Sequence, residues 1–275
     1  MAVGAIVFDL DNTLAPSKAP VTAEMSVLLE SLLKYYPVGV ISGGSFEQFQ
    51  RQLLGSLAVS PDRLWRLHLM PACGTRYYRY EPLEGDWEQQ YAEDFTADEK
   101  ALIADVLLAG ASALNLLAAE PFGDIVEDRG GQMTFSALGQ YAPIELRSEW
   151  DPDCIKRRML AEWAAPRLPG LDVRVGGTTS VDVTRAGIDK AYGMRKLLNA
   201  LGLARDEVIY VGDRLHEGGN DYPVLEMGIR TLAVRDHNET ANLIRRILLS
   251  EAANPVRIPV QPPALTGSRV YARSA

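Results

Sequence analysis

The sequence predicts an α/β fold: a Rossmann-like parallel-sheet core interrupted by an inserted α+β cap domain. Three observations carry this expectation. Short apolar runs, AIVF at 5–8, VGVI at 38–41 and VIYV at 208–211, read as strands buried on both faces of a parallel sheet. Amphipathic helical stretches alternate with these strands near both ends of the chain, the rhythm of right-handed βαβ units. Between about 81 and 186 that alternation stops, and helices mix with short strands in no regular order.

Bulk properties narrow the function classes. At 275 residues the chain can hold one large domain or two small ones with a proper core. A formal net charge of −8 argues against a nucleic-acid partner or an anionic membrane surface. No apolar run approaches the roughly 18 residues that a membrane-spanning helix needs. The first residues lack the basic start and long apolar stretch of a secretory signal, and Asp9 interrupts them early. Cys73 and Cys154 form no spacing motif, so they are expected as reduced, packed residues of a cytoplasmic protein.

The elements follow in order. Thr22 caps a helix whose Met25, Leu28, Leu29, Leu32 and Leu33 form one apolar stripe. The second strand breaks at Ser42-Gly43-Gly44, after which Ser45 and Gln48 read as a capping box opening a helix with Phe46, Phe49 and Leu53 on one face. In the insert, Thr96 and Glu99 form another capping box ahead of a long helix, and GGQMTFSALG and TTSVDVT read as strands. Asp151-Pro152 reads as a helix start with proline at its favoured first position. GIDKAYGMRKLLNALG is a helix stopped near Gly202; EVIYVGD and IRTLAV are strands, and ETANLIRRILLSEAA is a helix. The proline-bearing end lacks periodicity and is expected as a flexible or surface-laid tail. These readings set the core at 1–82 and 187–253, the cap at 83–186 and the tail at 254–275, with hinges near 80–83 and 185–187.

The first strand ends in Asp9 and Asp11, with Thr13 two residues on. Adjacent carboxylates repel, so the pattern asks for a divalent cation, or for chemistry in which one is ionised and the other carries a proton. Two further strands end in polar loops, Ser42-Gly43-Gly44 and Gly212-Asp213, and ligands of open parallel sheets bind beyond such carboxyl ends. Lys190 opens the helix after the insert. Taken singly, each feature has a plainer explanation as a cap, a tight turn or a solvated lysine. The four in this order point to one polar site. His68, His216 and His237 are isolated and read as surface or loop residues, and Arg157-Arg158 and Arg245-Arg246 read as solvated helix faces. Tyr77, Tyr78 and Tyr80 read as packing residues.

DxDxT at Asp9-Asp11-Thr13, a strand-end Ser42, Lys190 and GDRLHEGGND together resemble the four motifs of haloacid-dehalogenase-like phosphotransferases. ISGGSFEQFQRQL, GGTTSVDV and the loop 212–221 are similar to the large-cap branch of eukaryotic-type phosphomannomutases, over about 4–227. The resemblance implies that Asp9 is the nucleophile and Asp11 the proton carrier. It implies magnesium (Mg2+) held by Asp9, the Asp11 backbone carbonyl and Asp213, with Asp221 and Asn220 supporting the metal and phosphate side, Asn220 as a phosphate-binding residue. Lys190, Thr13, Ser42 and Gly43 would bind phosphoryl oxygens; Lys18, Arg129, Ser180 and Asp182 would contact the rest of a small phosphorylated substrate. A homodimer formed through the cap is also expected.

Two positions depart from that family: Lys18 stands where it carries arginine, and Gln140 where it has IGR. Arg147 is a candidate substitute for a cap arginine. A lysine point charge and a neutral amide capture phosphate less well than two guanidinium forks. The expected activity is therefore hydrolysis of small phosphorylated metabolites such as sugar phosphates, with mannose-phosphate mutase as the alternative and a non-catalytic phosphosugar-binding protein as the further one.

Overall fold

A computed structural model describes residues 3–253, and the expected tail lies outside them. The chain begins with β1 (Ala5–Phe8), α1 (Ala23–Leu33), β2 (Val38–Ile41), α2 (Phe46–Gln52), α3 (Pro61–Leu64) and β3 (Leu67–Met70). It continues with a hairpin of β4 (Arg76–Glu81) and β5 (Asp86–Ala92). The insert follows: α4 (Ala97–Ala113), β6 (Val126–Asp128), β7 (Gln132–Ser136), α5 (Ile144–Trp150), α6 (Ile155–Ala164), β8 (Leu171–Val175) and β9 (Ser180–Arg185). The first layer resumes with α7 (Lys190–Leu201), β10 (Val208–Gly212), α8 (Tyr222–Glu226), β11 (Arg230–Ala233) and α9 (His237–Ala253).

Two sheets result. One runs β11-β10-β1-β2-β3-β4-β5, parallel from β11 to β3 and antiparallel thereafter. Strand β1 lies between β10 and β2, and the period of two along it splits its side chains between two cores. Ile6 and Phe8 join the cluster of α1 and α9, whereas Ala5 and Val7 join Met194 and Leu197 of α7. That double burial is why the run carries no polar residue until its end. The other sheet, β6-β7-β9-β8, is wholly antiparallel and packs Phe135, Val181 and Val183 against Ile103 and Leu107 of α4 and Leu160 of α6.

Several expectations are corrected. The limit at 82/83 falls inside the β4–β5 hairpin, so the large sheet extends through Ala92 and a hinge at 80–83 would sit in paired strands. The first crossing between sheets is instead 93–96, where Glu93 meets Tyr192 and Lys196 and Asp94 meets Arg76. The helix expected at Asp151-Pro152 starts at Ile155, because Cys154 adopts φ +64 and breaks the first turn. Asp151 still caps it from a distance, accepting from the backbone of Lys156 and Arg157 at 3.0 Å each. Arg157 is buried, not solvated: its Nε reaches Asp151 Oδ2 at 2.7 Å and an Nη reaches the Gly177 carbonyl. His68 is buried too, with Nδ1 2.7 Å from the Tyr77 hydroxyl, and burial pushes its pKa down to about 3.

At α2 the capping box is only half made. The Ser45 hydroxyl accepts from Gln48 N at 3.3 Å, but the Gln48 side chain turns away to Asp11. At α7, Asp189 caps Tyr192 N at 2.8 Å and Gly202 ends the helix at φ +66. A Cβ on Gly193 would lie 2.7 Å from the Cys73 carbonyl oxygen, so only glycine lets this helix seat against the loop after β3. That seating fixes Lys190 one turn away.

Candidate active site

The carboxyl ends of β1 and β10 converge on a buried charge cluster. Asp9 continues the ladder by donating its backbone N–H to Val211 O at 2.9 Å, which holds its side chain beside the loop after β10. Lys190 Nζ, on a side chain 1% exposed, donates to Asp9 Oδ1 at 2.5 Å and to Asp221 Oδ1 at 2.6 Å. Tyr210 OH also donates to Asp221 Oδ1 at 2.5 Å, and Arg214 N to its Oδ2 at 2.9 Å. Carboxylate oxygens of Asp9, Asp213 and Asp221 lie within 4.8 Å of one another.

The electrostatics divide these groups. Burial alone would lower the Lys190 pKa, but Asp221 and Asp9 outweigh it and raise the value, so the ammonium stays charged. Burial would raise Asp221, yet Lys190, Tyr210 and the Arg214 N–H hold it below its ordinary value. Asp9 goes up, driven by burial, opposed by Lys190 and reinforced by Asp221 and Asp213. Asp213 also goes up, from burial and then Asp221. Three carboxylates against one ammonium leave a formal excess of two negative charges in one cluster. A divalent cation matches that excess, and an all-oxygen donor set suits magnesium. With Asp221 taken up by Lys190, Tyr210 and Arg214, the oxygens of Asp9 and Asp213 are the freer donors.

Asp11 does not join the cluster through its side chain. Its Oδ2 accepts from Gln48 Nε2 at 3.0 Å, and its Oδ1 from Gln52 Nε2 at 3.1 Å and Lys18 N at 2.6 Å. Thr13 Oγ1 lies 3.5 Å from Asp9 Oδ2, a long contact. Ser42 is buried, and its Oγ accepts from Gly44 N at 3.1 Å.

A cavity of about 1000 Å³ separates the two sheets. Asp9, Asp11, Ser42, Gly43, Lys190, Asp213 and exposed Asn220 border it from one side, and Arg129, Ser180 and Asp182 from the other. The geometry thus brings the sequence-derived residues around one space, except Thr13 and Asp221, which are buried behind the wall. Side chains already cross it. Arg129 donates to Gly43 O at 2.6 Å and pairs with Glu127 at 2.7 Å, while Gln132 Nε2 reaches Gly43 O at 3.2 Å. Lys18 Nζ donates to Gln140 O at 3.0 Å, so the two departures from the family pattern touch each other. Ser180 Oγ accepts from Gly177 N in the loop before β9, and Asp182 Oδ1 from Thr134 Oγ1 of β7, at 2.7 Å each. Arg147 is 7% exposed, borders the cavity and makes no ion pair among the described residues; its Nε has no hydrogen-bond partner there.

Sequence reasoning missed Gln48 and Gln52 as partners of Asp11, Tyr210 as a partner of Asp221, and Arg157 as an anchor of the loop before β9. A signal existed for the first pair. Two glutamines four apart share one helix face, and on a short helix behind a polar strand end that face points to the site.

The profile of the eukaryotic phosphomannomutase family matches residues 25–250. The phosphomannomutase of Schizosaccharomyces pombe is 26% identical over 230 residues, covering 80% of this chain and 84% of that protein. That of Oryza sativa subsp. indica is 26% identical over 252 residues, covering 89% and 95%. Among solved structures, a haloacid dehalogenase-like hydrolase from Bacteroides thetaiotaomicron superposes with a TM-score of 0.60 at 18% identity, over 89% of this chain and 99% of that one. An IMP-bound, N-terminally truncated Plasmodium falciparum IMP-nucleotidase gives 0.64 at 16% identity, over 90% and 68%. The structural likenesses establish the shared fold.

Proposed function

The chain belongs to the eukaryotic phosphomannomutase family, and from that premise we propose a magnesium-dependent phosphoryl transferase that forms an aspartyl phosphate on Asp9 and passes it mainly to water. The observation that carries this reading is Lys190, buried and bonded to both Asp9 and Asp221 beside Asp213. Binding alone needs no such cluster, because clustered buried carboxylates are costly unless a task requires them.

In the first step an Asp9 oxygen bonds to phosphorus while the ester P–O bond breaks, and its electron pair stays on the departing oxygen. Asp11 gives that oxygen a proton and is left as carboxylate. Water then attacks the same phosphorus, Asp11 takes its proton, and Asp9 is released. Lys190 holds Asp9 in place and offsets charge on the phosphoryl group. Asp9, Asp213 and the Asp11 carbonyl would hold magnesium, with Asp221 orienting Lys190 behind them. The metal's contribution there is to neutralise charge on the transferring group.

Lys18 and Gln140 favour water as acceptor. Lys18 is spent on the Gln140 carbonyl, and Gln140 brings no charge of its own, so a bisphosphorylated sugar is held weakly. Arg147 favours the second reading, a mutase, since its guanidinium makes no ion pair among the described residues and borders the cavity where a distal phosphate would lie. Mannose 1-phosphate, supplied with magnesium and a hexose bisphosphate, separates the two: inorganic phosphate should outrun mannose 6-phosphate. Mutase flux well above phosphate release would replace hydrolysis with the second reading, and Asp9→Asn should abolish both.

A further inference from the structure

The catalytic steps give the glutamines of α2 no direct task. Both are buried, and burying amides is unfavourable unless each finds partners. Their partner is Asp11. Gln48 Nε2 lies 3.0 Å from Asp11 Oδ2, Gln52 Nε2 lies 3.1 Å from Oδ1, and Gln48 Nε2 lies 2.5 Å from Gln52 Oε1. Gln52 is anchored in turn on Ala19 O at 3.1 Å. The strand-end loop is shaped around this arrangement: a Cβ on Gly44 would fall 2.5 Å from Gln48 Oε1. Of the two, Gln48 borders the large cavity beside Asp11.

We propose that Gln48 is a positioning residue that aims the Asp11 carboxyl at the departing oxygen of the substrate. The inference rests on Asp11 being the proton carrier. Lys18, Arg129 and Arg147 border the same cavity, and an untethered carboxylate is drawn to such cations. Two amides from a packed helix hold it at a fixed angle instead. An amide suits the task because it is uncharged, offers both donor and acceptor, and so accommodates Asp11 with or without its proton.

The consequence is selective. When the ester P–O bond breaks, a sugar oxygen leaves poorly unless Asp11 delivers its proton, whereas p-nitrophenolate leaves without help. Gln48→Met keeps the length and burial of the side chain but removes the donors. It should lower kcat/KM for mannose 6-phosphate by about 10–100-fold and that for p-nitrophenyl phosphate by less than about 3-fold. Equal losses on both substrates would overturn the inference, since a packing defect does not distinguish leaving groups. If Gln48→Met fails to fold, judged by its melting curve, Gly44→Ala crowds the same amide from the other side and is read identically. Asp11→Asn measured alongside separates the two levels. A selective loss in Asp11→Asn with none in Gln48→Met sinks the role of Gln48 alone. No selective loss in Asp11→Asn sinks the proton-carrier reading itself, and this inference with it.

Discussion

Replacing Lys190 with methionine tests the charge cluster directly. The ammonium makes charge-assisted hydrogen bonds of 2.5 and 2.6 Å to carboxylates that are almost wholly buried. Removing one partner of a buried pair and stranding the other typically costs about 3–5 kcal/mol. For a chain of this size, at about 2–4 °C per kcal/mol, the melting temperature should fall by roughly 6–20 °C in chelator. Without Lys190, burial and mutual repulsion should raise both Asp9 and Asp221 above the ordinary carboxylate range. The folded variant then binds protons that the unfolded chain releases, so its deficit should shrink as pH falls from neutral toward the ordinary carboxylate pKa. Magnesium should raise the melting temperature of Lys190→Met more than that of the parent, because the variant carries one more uncompensated negative charge. Turnover should fall by about 100–1000-fold or more, the scale of losing one preorganised electrostatic donor. The assays are melting curves with chelator and with magnesium at several pH values, alongside p-nitrophenyl phosphate turnover. A variant as stable as the parent at neutral pH, with no added response to magnesium, would refute the assignment of this cluster.

Three other substitutions follow from the geometry. Asp213→Ala should raise the magnesium concentration for half-maximal activity by at least about 10-fold, with little change in the melting temperature measured in chelator. Lys18 is pushed down to about 8 by burial and by Arg129 and Arg147, an effect weakened by the water that its exposed side chain still meets. It is charged below that pH, so KM for a sugar phosphate should rise as pH passes 8 and stay flatter in Lys18→Arg. Gly193→Ala should cost about 1–3 kcal/mol by forcing α7 away from the Cys73 carbonyl. Its kcat should drop as well because Lys190 rides on that helix, which a melting curve and a rate measurement check together.

The core elements were legible because their physics is local. A run of apolar residues closing on Asp9 needs no tertiary knowledge to be read as a doubly buried strand with a polar end. The order of Asp9, Ser42, Lys190 and Asp213 likewise survives in one dimension. The hairpin of β4 and β5 was not legible: RYYRYE and DWEQQYA alternate imperfectly, and their role is to extend a sheet whose edge the sequence does not announce. The start of α6 lies beyond Asp151-Pro152 because proline at a first helical position is only a preference, and Cys154 with φ +64 overrides it. His68, isolated and without zinc spacing, reads as a surface or loop residue, and Arg157 as part of a solvated helix face. Their burial depends on partners far along the chain or in another element, Tyr77 for one, Asp151 and Gly177 for the other. The spacing of Gln48 from Ser45 predicts a helix cap, but an acidic neighbour 37 residues away takes its side chain instead.

Arg129 and Lys18, which would contact substrate, also join the two sheets, as does Arg214. Arg129 donates to Gly43 O, Lys18 to Gln140 O and Arg214 to Gly176 O at 3.4 Å, on different sides of one cavity. A phosphorylated ligand that draws Arg129 or Lys18 to itself therefore exchanges one hydrogen bond for another rather than adding one. Each such charged hydrogen bond contributes about 1.5–3 kcal/mol net, so breaking one to make another leaves only their difference to drive binding. Arg147 stands outside that balance: with no carboxylate to surrender among the described residues, its gain on meeting an anion is undiminished. If a distal phosphate is bound there, Arg147 is expected to contribute more to its affinity than Lys18. If the protein retains a bisphosphorylated sugar long enough to return the phosphoryl group, Arg147 is the residue through which it does so.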